Sequence, residues 1–106
     1  MTIQEALRPF GSLRCYRGMK QTMTAISLAL ENEDRLNAVI KEIYIPTALI
    51  HNTSASAVER NIRTVVQHAW QVNPGYLTRI AGYPLNGAPS VSEFLAIMVS
   101  YLQCAA

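Results

Sequence analysis

Ser56, Arg60, Arg63, Thr64 and Gln67 recur at three- and four-residue intervals along one amphipathic stretch. On a helix of 3.6 residues per turn they share one side. Val58, Ile62, Val65, Val66, Ala69 and Trp70 occupy the opposite side. Glu59 sits beside Arg60 at the edge of the polar face. Arginine can present two parallel N–H donors to a guanine edge, and a glutamate can accept from a cytosine amino group. The chemistry implied is hydrogen-bond reading of base edges, with no bond made or broken. A plainer reading uses the same residues. Glu59 and Arg63 are four apart and can pair along the helix surface. Glu59 also follows Ser56 at the spacing of a capping box.

Other chemistries find little here. Cys15 and Cys104 form no CxxC pair, and His51 and His68 do not flank them at zinc-ligand spacing, so no metal site is expected. Two histidines without a partnered nucleophile make no hydrolytic constellation, and no enzyme is expected. His51 reads as partly buried and structural, His68 as a helix-surface residue. Gly75, Gly82 and Gly87 read as stops and turns, not as a phosphate cradle, and no cofactor is expected. The five tyrosines and Trp70 are not spaced as a stacking platform for single strands. No apolar run approaches membrane-span length, and the N-terminus lacks the apolar region of a signal peptide. These features predict a cytoplasmic protein with two reduced thiols.

The net charge of +2 is small, but the charge is segregated. Residues 1–30 hold Arg8, Arg14, Arg17 and Lys20 against Glu5 alone. Residues 31–42 are acidic, and residues 43–80 hold Arg60, Arg63 and Arg79 against Glu59. Such segregation allows a basic face.

The elements that must position the polar face are all helical. The chain has 106 residues, half of them apolar, enough for one domain with its own core. Thr2 and Glu5 form a capping-box pattern that opens a short helix ended by Pro9 and Gly11. A second helix, about Tyr16 to Leu30, aligns Tyr16, Met19, Met23, Ile26 and Leu30 as its core stripe. A third follows the acidic first turn at Glu33 and Asp34, with Leu36, Val39, Ile40, Ile43 and Tyr44 buried. Pro46 starts a short fourth helix to about His51. Asn52, Thr53 and Ser54 supply turn chemistry. The long helix then runs from about Ala55 to Val72. Asn73, Pro74 and Gly75 stop it, and Tyr76 to Ala81 form a short helix closed by Gly82. Pro84 to Pro89 form a loop. A second capping box, Ser90 to Glu93, opens a last helix burying Val91, Phe94, Leu95, Met98 and Leu102. The expected fold is an all-α bundle of about six helices containing a helix-turn-helix, with Ser56 to Gln71 as its recognition helix.

The run from Asn52 to Arg63, NTSASAVERNIR, continuing to Ala69-Trp70, resembles the "NTTASRVERAIR…AW" run of the C-terminal effector domain of the sporulation stage-zero response regulator family. Gly82-Tyr83 resembles that family's Gly-Tyr pair. Pro89 with Ser92-Glu-Phe-Leu-Ala resembles its "P…SEFIA" helix, and Phe10-Gly11 and Gly18 fall where it has "IG" and "KG". The resemblance covers nearly the whole chain. It implies a six-helix domain that binds double-stranded DNA at short boxes, often as tandem copies, to regulate sporulation genes. It places Glu59 and Arg60 at base-contacting positions and Ser56 and Arg63 close to DNA. It also implies contact with the RNA polymerase sigma subunit through roughly Asn73 to Tyr83. The family's phosphorylated receiver domain has no counterpart in these residues.

The chain departs from the family pattern at several points. A family arginine is Ala57, a lysine pair is Leu49 and Ile50, a proline is shifted to Pro46, and a core phenylalanine is His51. Three cationic DNA contacts are therefore missing, which weakens binding and flattens its salt dependence. Adjacent apolar residues at 49 and 50 predict either burial under the N-terminal segment or a patch for a partner or a second copy, making the chain an interaction module or homodimer.

Overall fold

The computed structural model describes residues 1–11 and 16–105; Cys15 and the side chain of Tyr16 lie outside the described set. Helix α1 (Ile3–Leu7) starts as the sequence predicts. Thr2 Oγ1 accepts from Glu5 N at 3.0 Å, and Glu5 Oε1 accepts from Thr2 N at 2.9 Å. A 3-10 turn at Arg8–Phe10 follows, closed by Gly11 at φ 83°. Helix α2 (Tyr16–Glu31) comes next. Its buried stripe is rotated from the expected one. Gln21, Thr22, Ala25, Ile26 and Ala29 are buried, while Met19, Met23 and Leu30 only pack against the core edge. The small residues face inward because α2 lies close along α4 (Ala55–Val72).

The expected third and fourth helices are one continuous helical run. It begins as a 3-10 segment, Glu33–Ala38, capped by Asn32, whose Oδ1 accepts from Asp34 N at 3.1 Å. It widens into a π segment, Ile40–Tyr44, and ends as α3 (Ile45–Ile50). Pro46 has no N–H to bond the carbonyl of Glu42, and its ring would crowd that carbonyl. The helix accommodates proline by loosening ahead of it, so that Ile45 N bonds Ile40 O. This extra residue per turn shifts the apolar face. Ile43 and Tyr44 are buried, Leu36 and Val39 partly so, and Ile40 is 63% exposed.

The end of α3 is a Schellman cap. Thr53 N bonds Ala48 O at 2.9 Å, Asn52 N bonds Leu49 O at 3.4 Å, and Asn52 takes the left-handed conformation at φ 54°. Asparagine tolerates that region better than other non-glycine residues, which is why the turn chemistry was legible. Leu49 and Ile50 are exposed, not buried under the N-terminal segment.

Helix α4 buries Val58, Ile62, Val65, Val66 and Ala69, while Trp70 is partly buried against the core. Its N-cap is Ser54, whose Oγ accepts from Ala57 N at 3.2 Å; Ser56 is not the capping residue. Asn73 ends α4 and also caps α5 (Pro74–Ala81), its Oδ1 accepting from Tyr76 N at 3.1 Å. The stop signal is therefore also a start signal, and α5 begins at Pro74 instead of Tyr76. Helix α6 (Val91–Cys104) carries half a capping box. Ser90 Oγ accepts from Glu93 N at 3.2 Å, but the Glu93 carboxylate turns to the Tyr83 hydroxyl at 2.6 Å. No strand occurs among the described residues, and one apolar cluster joins α1 to α6.

Candidate nucleic-acid interface

The polar stripe predicted on α4 is presented as one surface. Ser56, Arg60, Arg63, Thr64 and Gln67 are exposed, and the opposite face is core from Val58 to Ala69. At about 1.5 Å per residue a helix of this length spans roughly 27 Å, and a single helix fits the major groove of a duplex. Thr64 turns its hydroxyl back onto Arg60 O at 3.2 Å, so it offers outward only an acceptor. Arg63 donates to Glu59 Oε1. Arg60 enters no ion pair among the described residues.

Glu59 differs from the rest. It is half-buried and lines a groove of about 600 Å³ together with Val39, Ile40, Tyr44, Ser56 and Val91. Burial, and then the Glu59 charge, push the Tyr44 hydroxyl above its ordinary value, while Arg63 acts in the opposite sense. Glu59, Arg63 and Tyr44 therefore form one electrostatic group on the edge of the stripe away from α2.

Two contacts that set the orientation of α4 were not foreseen from the sequence. Asn61 Nδ2 donates to Gln21 Oε1 at 3.0 Å, joining α4 to α2. His51 Nε2 meets the Thr24 hydroxyl at 2.8 Å, pinning the turn before α4 onto α2. Both bonds span long sequence separations, 40 and 27 residues, and no local pattern encodes them. His51 is accordingly partly buried, as expected of a structural residue.

The segment expected to face other proteins, Asn73 to Tyr83, buries Tyr76, Leu77 and Ile80 through α5 and exposes Arg79 and Tyr83. The Arg79 guanidinium lies 5.4 Å from the Tyr76 ring centroid. Among the described residues, no three His, Cys, Asp or Glu side chains are grouped so as to hold a metal ion. Among the same residues, no helix is long and apolar enough to cross a membrane. The sequence model of a family described as "Sporulation initiation factor Spo0A C terminal" matches residues 3–102.

Proposed function

The chain belongs to the Spo0A C-terminal family of sporulation-related DNA-binding regulatory domains, which is not an enzyme family, and from that premise we propose that it reads duplex DNA sequence-specifically with α4. In this reading α3, the turn and α4 form a helix-turn-helix, and α4 enters the major groove. Arg60 presents its two donors to a guanine. Glu59, released from Arg63, accepts from a neighbouring cytosine, and Arg63 then neutralises a phosphate. Ser56, Thr64 and Gln67 line the same face. The chain would work in the cytoplasm, in tandem copies on DNA, with Arg79 and Tyr83 available to the sigma subunit of RNA polymerase.

The observation that carries this reading is the donor-rich stripe on a helix whose other face is entirely core. Such a helix is held rigidly while its polar side chains remain available. The test is a fluorescence-anisotropy titration on a duplex selected from a randomised pool and on its scrambled counterpart, at two salt concentrations. Tighter binding of the selected duplex, weakening as salt rises, is expected. Equal, weak affinity for both duplexes would remove the claim of sequence reading.

A second reading is favoured by one observation. Leu49 is 77% exposed and Ile50 63% exposed, and Ile45 lies one turn before Leu49 on the same helix. An apolar patch at the family's lysine positions fits contact with a partner protein or a second copy.

A further inference from the structure

If α4 reads DNA, the cations on α4 itself reach few phosphates. Arg63 is held by Glu59, and Arg35 by Glu31 at 3.5 Å. Arg79 sits over Tyr76 on α5. The end of α3 presents Leu49 and Ile50 outward, so it supplies no charge to a phosphate. A duplex carries one negative charge per ~1.7 Å of axis, and binding depends on neutralising several of them. In that reading Arg60 is given to a base, and Arg63, once released from Glu59, covers a single phosphate.

The first half of α2 supplies the missing charge. Arg17 and Lys20 are both exposed and three residues apart, which places them on one face of the helix. The only carboxylate on α2 is Glu31, at its far end. Neither cation enters an ion pair among the described residues. Two hydrogen bonds fix where this face lies. Gln21, next to Lys20 and one turn beyond Arg17, accepts from Asn61, the residue after Arg60 on α4. Thr24, one turn beyond Lys20, bonds His51 in the turn that leads into α4. The cationic face of α2 therefore runs along the flank of the α4 stripe, on the side away from the Glu59 group.

We propose that Arg17 and Lys20 form a phosphate-binding flank that grips one strand of the duplex while α4 occupies the groove. This rests on the DNA-reading role of α4. The two residues contact backbone only, so they set affinity and salt dependence without changing which sequence is preferred.

The test uses the full chain in anisotropy titrations over a salt series, on the selected and the scrambled duplex. Arg17→Gln with Lys20→Gln should lower the slope of log affinity against log salt by about two on both duplexes. The ratio between duplexes should stay at its wild-type value. Each single substitution should lower the slope by about one, and Arg17→Lys with Lys20→Arg should restore it. Arg79→Gln, on α5, should leave the slope unchanged. An unchanged slope in the double variant, with wild-type preference intact, overturns the flank and leaves DNA reading standing. A changed preference ratio with an unchanged slope also overturns it, since the pair would then act by shifting α4. Wild-type protein that binds neither duplex overturns both proposals.

Discussion

At the scale of single residues, Arg60 and Tyr76 illustrate opposite uses of a polar group. Arg60 projects from the α4 stripe without an ion pair among the described residues, while Arg63 is held by Glu59. Arg60→Ala should cost roughly 1–3 kcal/mol on the preferred duplex and relax preference at one position. Arg63→Ala should instead weaken selected and scrambled duplexes alike. A selected-to-scrambled ratio untouched by Arg60→Ala would show that base reading lies elsewhere. Tyr76 faces inward. Its hydroxyl donates to Ala6 O at 2.7 Å, and its ring meets Phe10 edge-on at 5.1 Å. Burial chiefly, with the neighbouring Tyr101 adding, pushes the Tyr76 hydroxyl up to about 12 from 10.0. The unfolded chain releases this proton near pH 10, whereas the folded chain holds it to about pH 12. The stabilisation is therefore complete below about pH 10 and is lost as pH rises through that window. Tyr76→Phe should cost about 1 kcal/mol at neutral pH and make the alkaline decline in urea-unfolding stability shallower. A decline as steep as wild type would mean that other tyrosines, such as Tyr83 bonded to Glu93, carry it.

At the scale of elements, the turn between α3 and α4 decides whether the two helices keep their relation. It has an Asx residue in left-handed conformation, Asn52 at φ 54°, followed by the Ser54 cap of α4. Replacing Asn52 by glycine keeps that conformation accessible, and thermal stability should change by no more than a few tenths of a kcal/mol. Asn52→Val should cost about 1–2 kcal/mol, because a β-branched side chain strains that region. Equal melting temperatures for the two variants would show that the turn does not hold its φ in solution. The preceding π segment has a different origin. Turn signals are local, but the widening at Ile40–Tyr44 comes from Pro46 inside a continuous helix, where a helix start had been expected.

At the scale of the whole molecule, α2, α3 and α4 share one packed junction, and the surface around it divides in two. One flank of the α4 stripe carries Arg17 and Lys20; beyond α3 lies an apolar area with Ile45, Leu49 and Ile50. Because Leu49 and Ile50 are mostly exposed, changing both to lysine should leave the melting temperature within a few degrees of wild type. If copies associate through this patch, sedimentation at high concentration should show the variant shifted to monomer. An identical sedimentation profile for wild type and variant would remove the patch from self-association. Tighter, more salt-dependent DNA binding by the same variant would place this end of α3 beside the phosphates.

Helix periods, caps and turn residues were legible from the sequence because they depend on neighbours within about one turn. Thr2 with Glu5, the Asn52 turn and the Val58-to-Ala69 core stripe of α4 are all of this kind. The run from Asn52 to Arg63 also carried the family resemblance. Tertiary structure decided what depends on the neighbouring helix. Close approach of α2 to α4 buried Gln21, Thr22, Ala25 and Ala29 in place of the methionine stripe. The π segment rotated Ile40 outward, and the Glu93 carboxylate left its cap for Tyr83. Glu59 was drawn into a groove between three elements, and Leu49 and Ile50 were left uncovered. Periodicity states which side chains share a face; only the packing of other helices determines whether that face meets protein or solvent.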